Sequence, residues 1–220
     1  MEINKHLPFR YEKEPEAEWL QVRSTWNFEY PQPENNSLYT TITYTPGNYC
    51  RECGCGLQQV HPFRVKKAPK WSTKHFLMLN WVGDELFVDE TAKNLLEKEF
   101  PFLSFSLVEN KNGTEQFDNF YQIVIPVLSK EGIVEKQKCI REILVCSKCG
   151  QKKYHLNSEG MLQFSKKIFD GAPDMVKSAE YFGWGCGADR IIIISQKMYR
   201  FIVSNKLERG LEFYPINHTG

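Results

Sequence analysis

Two stretches of the chain share one pattern of apolar and polar positions. Asp84–Val88 is a short strand-like run, and Asp89–Phe100 after it carries Ala92, Leu95, Leu96 and Phe100 at helical spacing. Pro101–Val108 follows, with Leu103 and Phe105 alternating as in a strand. Near the carboxyl end, Asp189–Ile194 is a second strand-like run. Ser195–Leu207 then sets Met198, Phe201 and Ile202 on one helical face, and Gly210–Ile216 alternates Leu211 with Phe213. Asp89 and Ser195 stand where a helix N-cap belongs, because a short side-chain oxygen there accepts a bond from a free first-turn N–H. Each stretch predicts strand, capped helix, strand. The position-by-position match predicts two copies of one unit, over 76–127 and 187–217.

Other elements are read from shorter signals. Phe120–Val127 predicts a strand with Pro126 at its end, and Asn110–Gly113 a turn before it. Tyr39–Tyr44 and Ile140–Val145 are rich in β-branched residues and predict strands. Asp174 predicts the cap of a short helix reaching Tyr181 or Phe182 and stopped by Gly183. Residues 1–35 are polar and run into a loop at Pro31–Asn36, with Trp19, Trp26 and Tyr30 available to pin the segment to the core. The sum is an α+β fold, a single compact domain over 1–220 in which the two repeated units surround a mixed sheet.

Composition narrows the classes of function. With 41% hydrophobic residues, the 220-residue chain can fill a core. The 28 basic and 27 acidic side chains nearly cancel, which counts against a protein whose main task is gripping nucleic-acid backbone. Arg64, Lys66, Lys67 and Lys70, and Lys148, Lys152 and Lys153, read as solvated faces. No apolar run approaches the ~18 residues of a membrane span, and the polar amino terminus lacks a signal-peptide core. The expected location is cytoplasmic, where the Asn-x-Ser/Thr triplets at Asn35, Asn112 and Asn217 carry no meaning.

The seven cysteines carry the chemistry. An odd number without a signal peptide argues against a disulfide framework. Cys50-Arg-Glu-Cys53-Gly54 and Cys146-Ser-Lys-Cys149-Gly150 repeat one C-x-x-C-G motif. Two intervening residues let a tight turn aim both thiolates at one ion, and the glycine supplies a positive φ. Cys50, Cys53, Cys146 and Cys149 together can close a tetrahedral site around one structural Zn2+ per chain, leaving no open position for catalysis. The zinc knuckles span 38–60 and 138–156 and form a zinc-ribbon-like element, with a subdomain inserted between them. Cys55, His61 and His155 are nearby substitutes for a ligand, and Cys139 and Cys186 read as buried small apolar residues.

Catalytic patterns are missing. There is no G-x-S-x-G, no H-E-x-x-H and no zinc-deaminase signature. Gly183–Arg190 has the glycines of a phosphate loop but leads into a strand instead of opening a helix, so it reads as a turn bearing Trp184. The chain is therefore expected not to be an enzyme.

The doubled C-x-x-C-G, followed at the carboxyl end by a strand, a Ser195-capped helix and Gly210-Leu-Glu-Phe-Tyr-Pro215, resembles the double-CxxCG family associated with immunity to bacterial polymorphic toxins. The resemblance covers most of 38–216; its sharp motifs are the two knuckles and the last thirty residues. It implies a protein that neutralises a cognate protein toxin by binding it, with zinc holding distant segments in register. The alternative is a zinc-ribbon nucleic-acid-binding or regulatory protein, which the balanced charge disfavours.

Overall fold

A computed structural model describes residues 16–45, 49–157 and 160–219. In chain order the elements are β1 (Trp19–Ser24), β2 (Asn27–Phe28), α1 (Tyr39–Thr43), β3 (Arg64–Val65), β4 (Phe76–Leu79), β5 (Phe87–Val88) and α2 (Glu90–Glu99). Then follow β6 (Ser104–Asn110), β7 (Gln116–Val124), β8 (Ile140–Val145), β9 (Lys152–Leu156), β10 (Gln163–Ser165), β11 (Met175–Lys177) and β12 (Tyr181–Phe182). The chain closes with β13 (Ile192–Ser195), α3 (Gln196–Ser204), β14 (Leu211–Pro215) and β15 (Asn217–Thr219). The fold is α+β, dominated by sheet, as the hydrophobic pattern predicts.

The two predicted units are present and share a topology. A six-stranded sheet runs β2-β4-β5-β7-β6-β3, and a four-stranded sheet runs β11-β13-β1-β14. Within β4-β5-β7-β6 every neighbouring pair is antiparallel, and so is every pair of the second sheet. In each set the helix leads from the second strand to the fourth, and an antiparallel strand fills the gap between them. That filler is β7 in the first set, which follows β6 in the chain. In the second it is β1, which comes from the opposite end of the chain. The two sets are thus related by a circular permutation. Both helices are capped as the sequence predicts: the Asp89 carboxylate accepts from Ala92 N–H at 2.9 Å, and the Ser195 hydroxyl accepts from Met198 N–H at 3.1 Å. Each helix lies on the second and third strands of its set, α2 on β5 and β7, α3 on β13 and β1.

Strand patterns follow from burial on both faces. Phe76 and Met78 of β4 join a central cluster, while Leu77 and Leu79 join an outer one. Ile192 and Ile194 likewise face the central cluster, and Ile191 and Ile193 a third cluster on the other side. Strands covered on both faces read as unbroken apolar runs, which is why neither one alternates. The central cluster takes Ala92, Leu96 and Phe100 from the first unit and Met198 and Ile202 from the second. Phe100 and Phe201 meet edge to face at 5.2 Å, so the helices touch across it.

Several expectations are corrected. Tyr39–Thr43 is a helical turn, not a strand. The hydroxyls of Thr40 and Thr41 donate back to the carbonyls of Ser37 and Leu38, and Tyr39 and Thr43, one turn apart, are both buried. The helix expected after Asp174 is replaced by β11 and β12. Asp174 accepts from the Ser195 hydroxyl, and Met175–Lys177 pair with β13 instead. The polar segment 1–35 contains β1, whose Leu20 and Val22 are core residues; its first fifteen residues lie outside the described part. Trp19, Trp26 and Tyr30 do pack, against Phe169, Trp71 and Trp81. Cys139 is buried as expected, whereas Cys186 is exposed in the glycine-rich loop.

Leu20→Ala should cost about 2–5 kcal/mol in denaturant unfolding, since it opens a hole between the sheets. A loss below about 1 kcal/mol would mean that β1 is not a core strand. Ser195→Ala should cost about 1 kcal/mol, the usual worth of an N-cap.

Candidate metal centre

The two C-x-x-C-G motifs fold into the same knuckle. In the first, Gly54 N–H donates to the Cys50 carbonyl at 2.7 Å and Cys50 N–H to the Cys55 carbonyl at 2.9 Å. In the second, Gly150 N–H donates to the Cys146 carbonyl at 2.9 Å and Cys146 N–H to the Gln151 carbonyl at 3.0 Å. Gly54 and Gly150 adopt φ of +79° and +74°, the left-handed turn that closes each loop. The second knuckle is the tip of the β8–β9 hairpin, to which β12 adds a parallel strand. The first stands on a loop whose base is the Tyr44–Gln59 bridge.

The knuckles face each other. Cys50 Sγ is 3.7 Å from Cys146 Sγ, and Cys53 Sγ is 3.6 Å from Cys149 Sγ. All four sulfurs lie within 4.8 Å of one another. The sulfurs of a tetrahedral site with ~2.3 Å bonds stand roughly 3.8 Å apart, so this donor set fits a metal ion. Backbone N–H groups of Cys53 and Glu52 hold the Cys50 pKa at about 7. Burial pushes Cys53 up to about 11. At Cys149 the Gln151 N–H favours the thiolate, but burial and the sulfurs of Cys53, Cys146 and Cys50 outweigh it, at about 12. Four thiolates this close demand a cation.

Among the described residues, these four are the group of His, Cys, Asp and Glu side chains that could hold an ion. The substitutes considered from sequence stay outside it. Cys55 is buried beside Cys53, His61 is exposed, and the His155 ring packs 5.0 Å from Trp184. The lysines near the knuckles are not a basic face. Lys148 and Lys152 pair with Glu52 and Glu135, and Lys153 is buried. Arg64, Lys66 and Lys67 pair with Glu109, Glu34 and Glu29. No helix among the described residues is long and apolar enough to cross a membrane.

The first knuckle also forms one end of a groove of about 1140 Å³. Its far wall is the β4–β5 turn with Trp81, and its near wall is the loop Gly183–Arg190. The buried Lys177 ammonium pairs with Glu85 and lies 3.7 Å from Asp84. Burial raises the Glu85 pKa, with Lys177 opposing. Asp189 is exposed along one edge, but its carboxyl group is set against Gly83; burial, then the like charge of Asp84, push its pKa up to about 6. Trp81 adopts φ of +66°, rare for a bulky side chain, and is 54% exposed. Sequence reasoning missed these residues because Lys177 and Asp189 were assigned to a helix and a strand run, where nothing brings them together.

A Cβ on Gly54 would stand 2.0 Å from the Cys186 carbonyl oxygen, whereas one on Gly150 meets nothing within 4 Å. Gly150→Ala should therefore lower Tm by a few degrees and keep the metal, while Gly54→Ala should also lose it; equal losses would contradict this geometry. The raised Asp189 pKa fixes a sign for pH. Its contribution to stability is present below about pH 4 and is lost as pH rises towards about 6. Asp189→Asn should raise Tm at pH 8 and leave it nearly unchanged at pH 4; the reverse order would refute the assignment. No protein-family model matches the chain, and no curated protein matches it significantly.

Proposed function

We propose that the protein is a zinc-clasped binding protein that acts as the cytoplasmic immunity partner of a bacterial polymorphic toxin. The observation that carries the zinc reading is the convergence of the Cys50, Cys53, Cys146 and Cys149 sulfurs at tetrahedral spacing. A site closed by four protein thiolates leaves no position for water or substrate, so the ion is structural. Cys50, Cys53, Cys146 and Cys149 would hold it, and it would supply charge neutralisation and a cross-link. The immunity reading draws on the doubled C-x-x-C-G and the carboxyl-terminal Gly210–Pro215 ending.

Neutralisation by binding needs a firm surface and a few large anchors. The groove edge offers Trp81, and the adjoining loop offers Trp184, 61% exposed. A toxin segment entering the groove would bury Trp81. The clasp joins residues 96 apart in sequence and stiffens that surface before the partner arrives.

Metal analysis of the purified protein should give one zinc per chain, lost in Cys50→Ser and Cys149→Ser. A folded protein without metal would end the zinc reading. Co-expression with a toxin encoded beside it should protect the host and yield a stable complex. Trp81→Ala should weaken that complex at least tenfold with metal content unchanged. Absence of both protection and complex would end the immunity reading.

A further inference from the structure

We propose that Lys153 couples the four-cysteine site to the groove, making the loop Gly183–Arg190 an extension of the metal clasp. Metal occupancy then sets one wall of the groove. The inference rests on the metal-binding reading of the cysteines and not on the identity of any partner.

Lys153 leaves the second knuckle on β9 and is only 3% exposed. Its ammonium donates to the carbonyls of Cys53 at 2.9 Å, Gly187 at 2.9 Å and Gly185. A lysine has three N–H donors, and each is matched by one acceptor. The Cys53 carbonyl belongs to the first knuckle, and the other two belong to the loop. One side chain thus ties both knuckles to the loop. Among the described residues, no carboxylate forms an ion pair with Lys153.

The shared ammonium gives the coupling its physical origin. An ion held by Cys50, Cys53, Cys146 and Cys149 would fix the first knuckle, and with it the Cys53 carbonyl, against the second. The buried ammonium therefore keeps all three acceptors when the metal is bound, and loses the Cys53 carbonyl when the knuckles part. A ligand shifts a conformation only through such a difference between two states.

The loop depends on its ties. It contains Gly183, Gly185 and Gly187, and the first two adopt positive φ. The Cys186 carbonyl rests against the Cα of Gly54, a contact only glycine permits. Gly56 N–H donates to the Tyr181 hydroxyl at 3.1 Å. On the far side, Arg190 N–H reaches the Asp84 carboxylate at 3.4 Å, and Asp189 abuts Gly83. The loop is therefore strung between the metal knuckle and the opposite wall of the groove.

The test is hydrogen exchange on the full-length protein, metal-loaded and chelator-stripped, with metal affinity measured by competition against a chromophoric chelator. In the wild type, stripping should raise exchange in 183–190 at least tenfold while β13 stays protected. Lys153→Met should still load one metal, show the fast loop while loaded, and, by reciprocity, bind metal about tenfold more weakly. Lys153→Arg keeps the charge and should hold metal affinity within about threefold. If stripping unfolds the whole protein, loaded wild type against loaded Lys153→Met decides the matter. If Lys153→Met fails to fold, the loaded and stripped wild type decide it. A loop equally protected with and without metal, or a Lys153→Met protein with unchanged loop and affinity, would overturn the coupling. A wild type that binds no metal would instead sink the metal reading itself, so the two failures are distinct.

Discussion

Four cysteine sulfurs that converge from chain positions 96 residues apart are the constraint on which the functional face depends. Neither knuckle has a core of its own. The first is a loop closed by one bridge, and the second is a hairpin tip whose Cys149 is exposed. Sulfurs at this spacing repel as thiolates and gain little as thiols, so an ion turns a crowded contact into a cross-link. Closure of such a site contributes on the order of 10 kcal/mol at neutral pH, comparable with the whole stability of an ordinary domain.

The body beneath the clasp is stable for a different reason. Two four-strand sets of the same topology place their helices in one central cluster, and the buried Glu85–Lys177 pair links the first set to the second. The second set is completed by β1, paired on one side with β13 and on the other with β14. The amino-terminal segment is therefore structural. Such long-range pairing carries a loop-closure cost early in folding.

What the sequence revealed was what is locally encoded. The N-caps at Asp89 and Ser195 and the helical faces behind them depend on neighbours within one turn, and they appear where the pattern puts them. The two knuckles are equally local, so their pairing could be read from a repeated motif. Tyr39–Thr43 was misread because β-branched composition says strand, while threonine back-bonding and burial one turn apart say helix. Asp174 looked like a cap until its partner, Ser195, was known from elsewhere in the chain. The role of Lys153 was illegible for the same reason: its three acceptors come from residues 53, 185 and 187, and no pattern around residue 153 announces them.

The groove connects these parts. Its walls come from the first knuckle, the β4–β5 turn and the loop that Lys153 holds, so one part of its shape rests on the four-cysteine site and another on the core. The retention of Asp189 beside Asp84, and of Trp81 in a left-handed conformation, costs stability that a purely structural face would not need to give up. The most direct test of the central claim is X-ray absorption at the zinc edge of the purified protein. The account predicts four sulfur scatterers at about 2.3 Å and no nitrogen or oxygen in the first shell. A shell containing a histidine nitrogen or a water oxygen would contradict it, because the site would then be open and its closed, structural character lost.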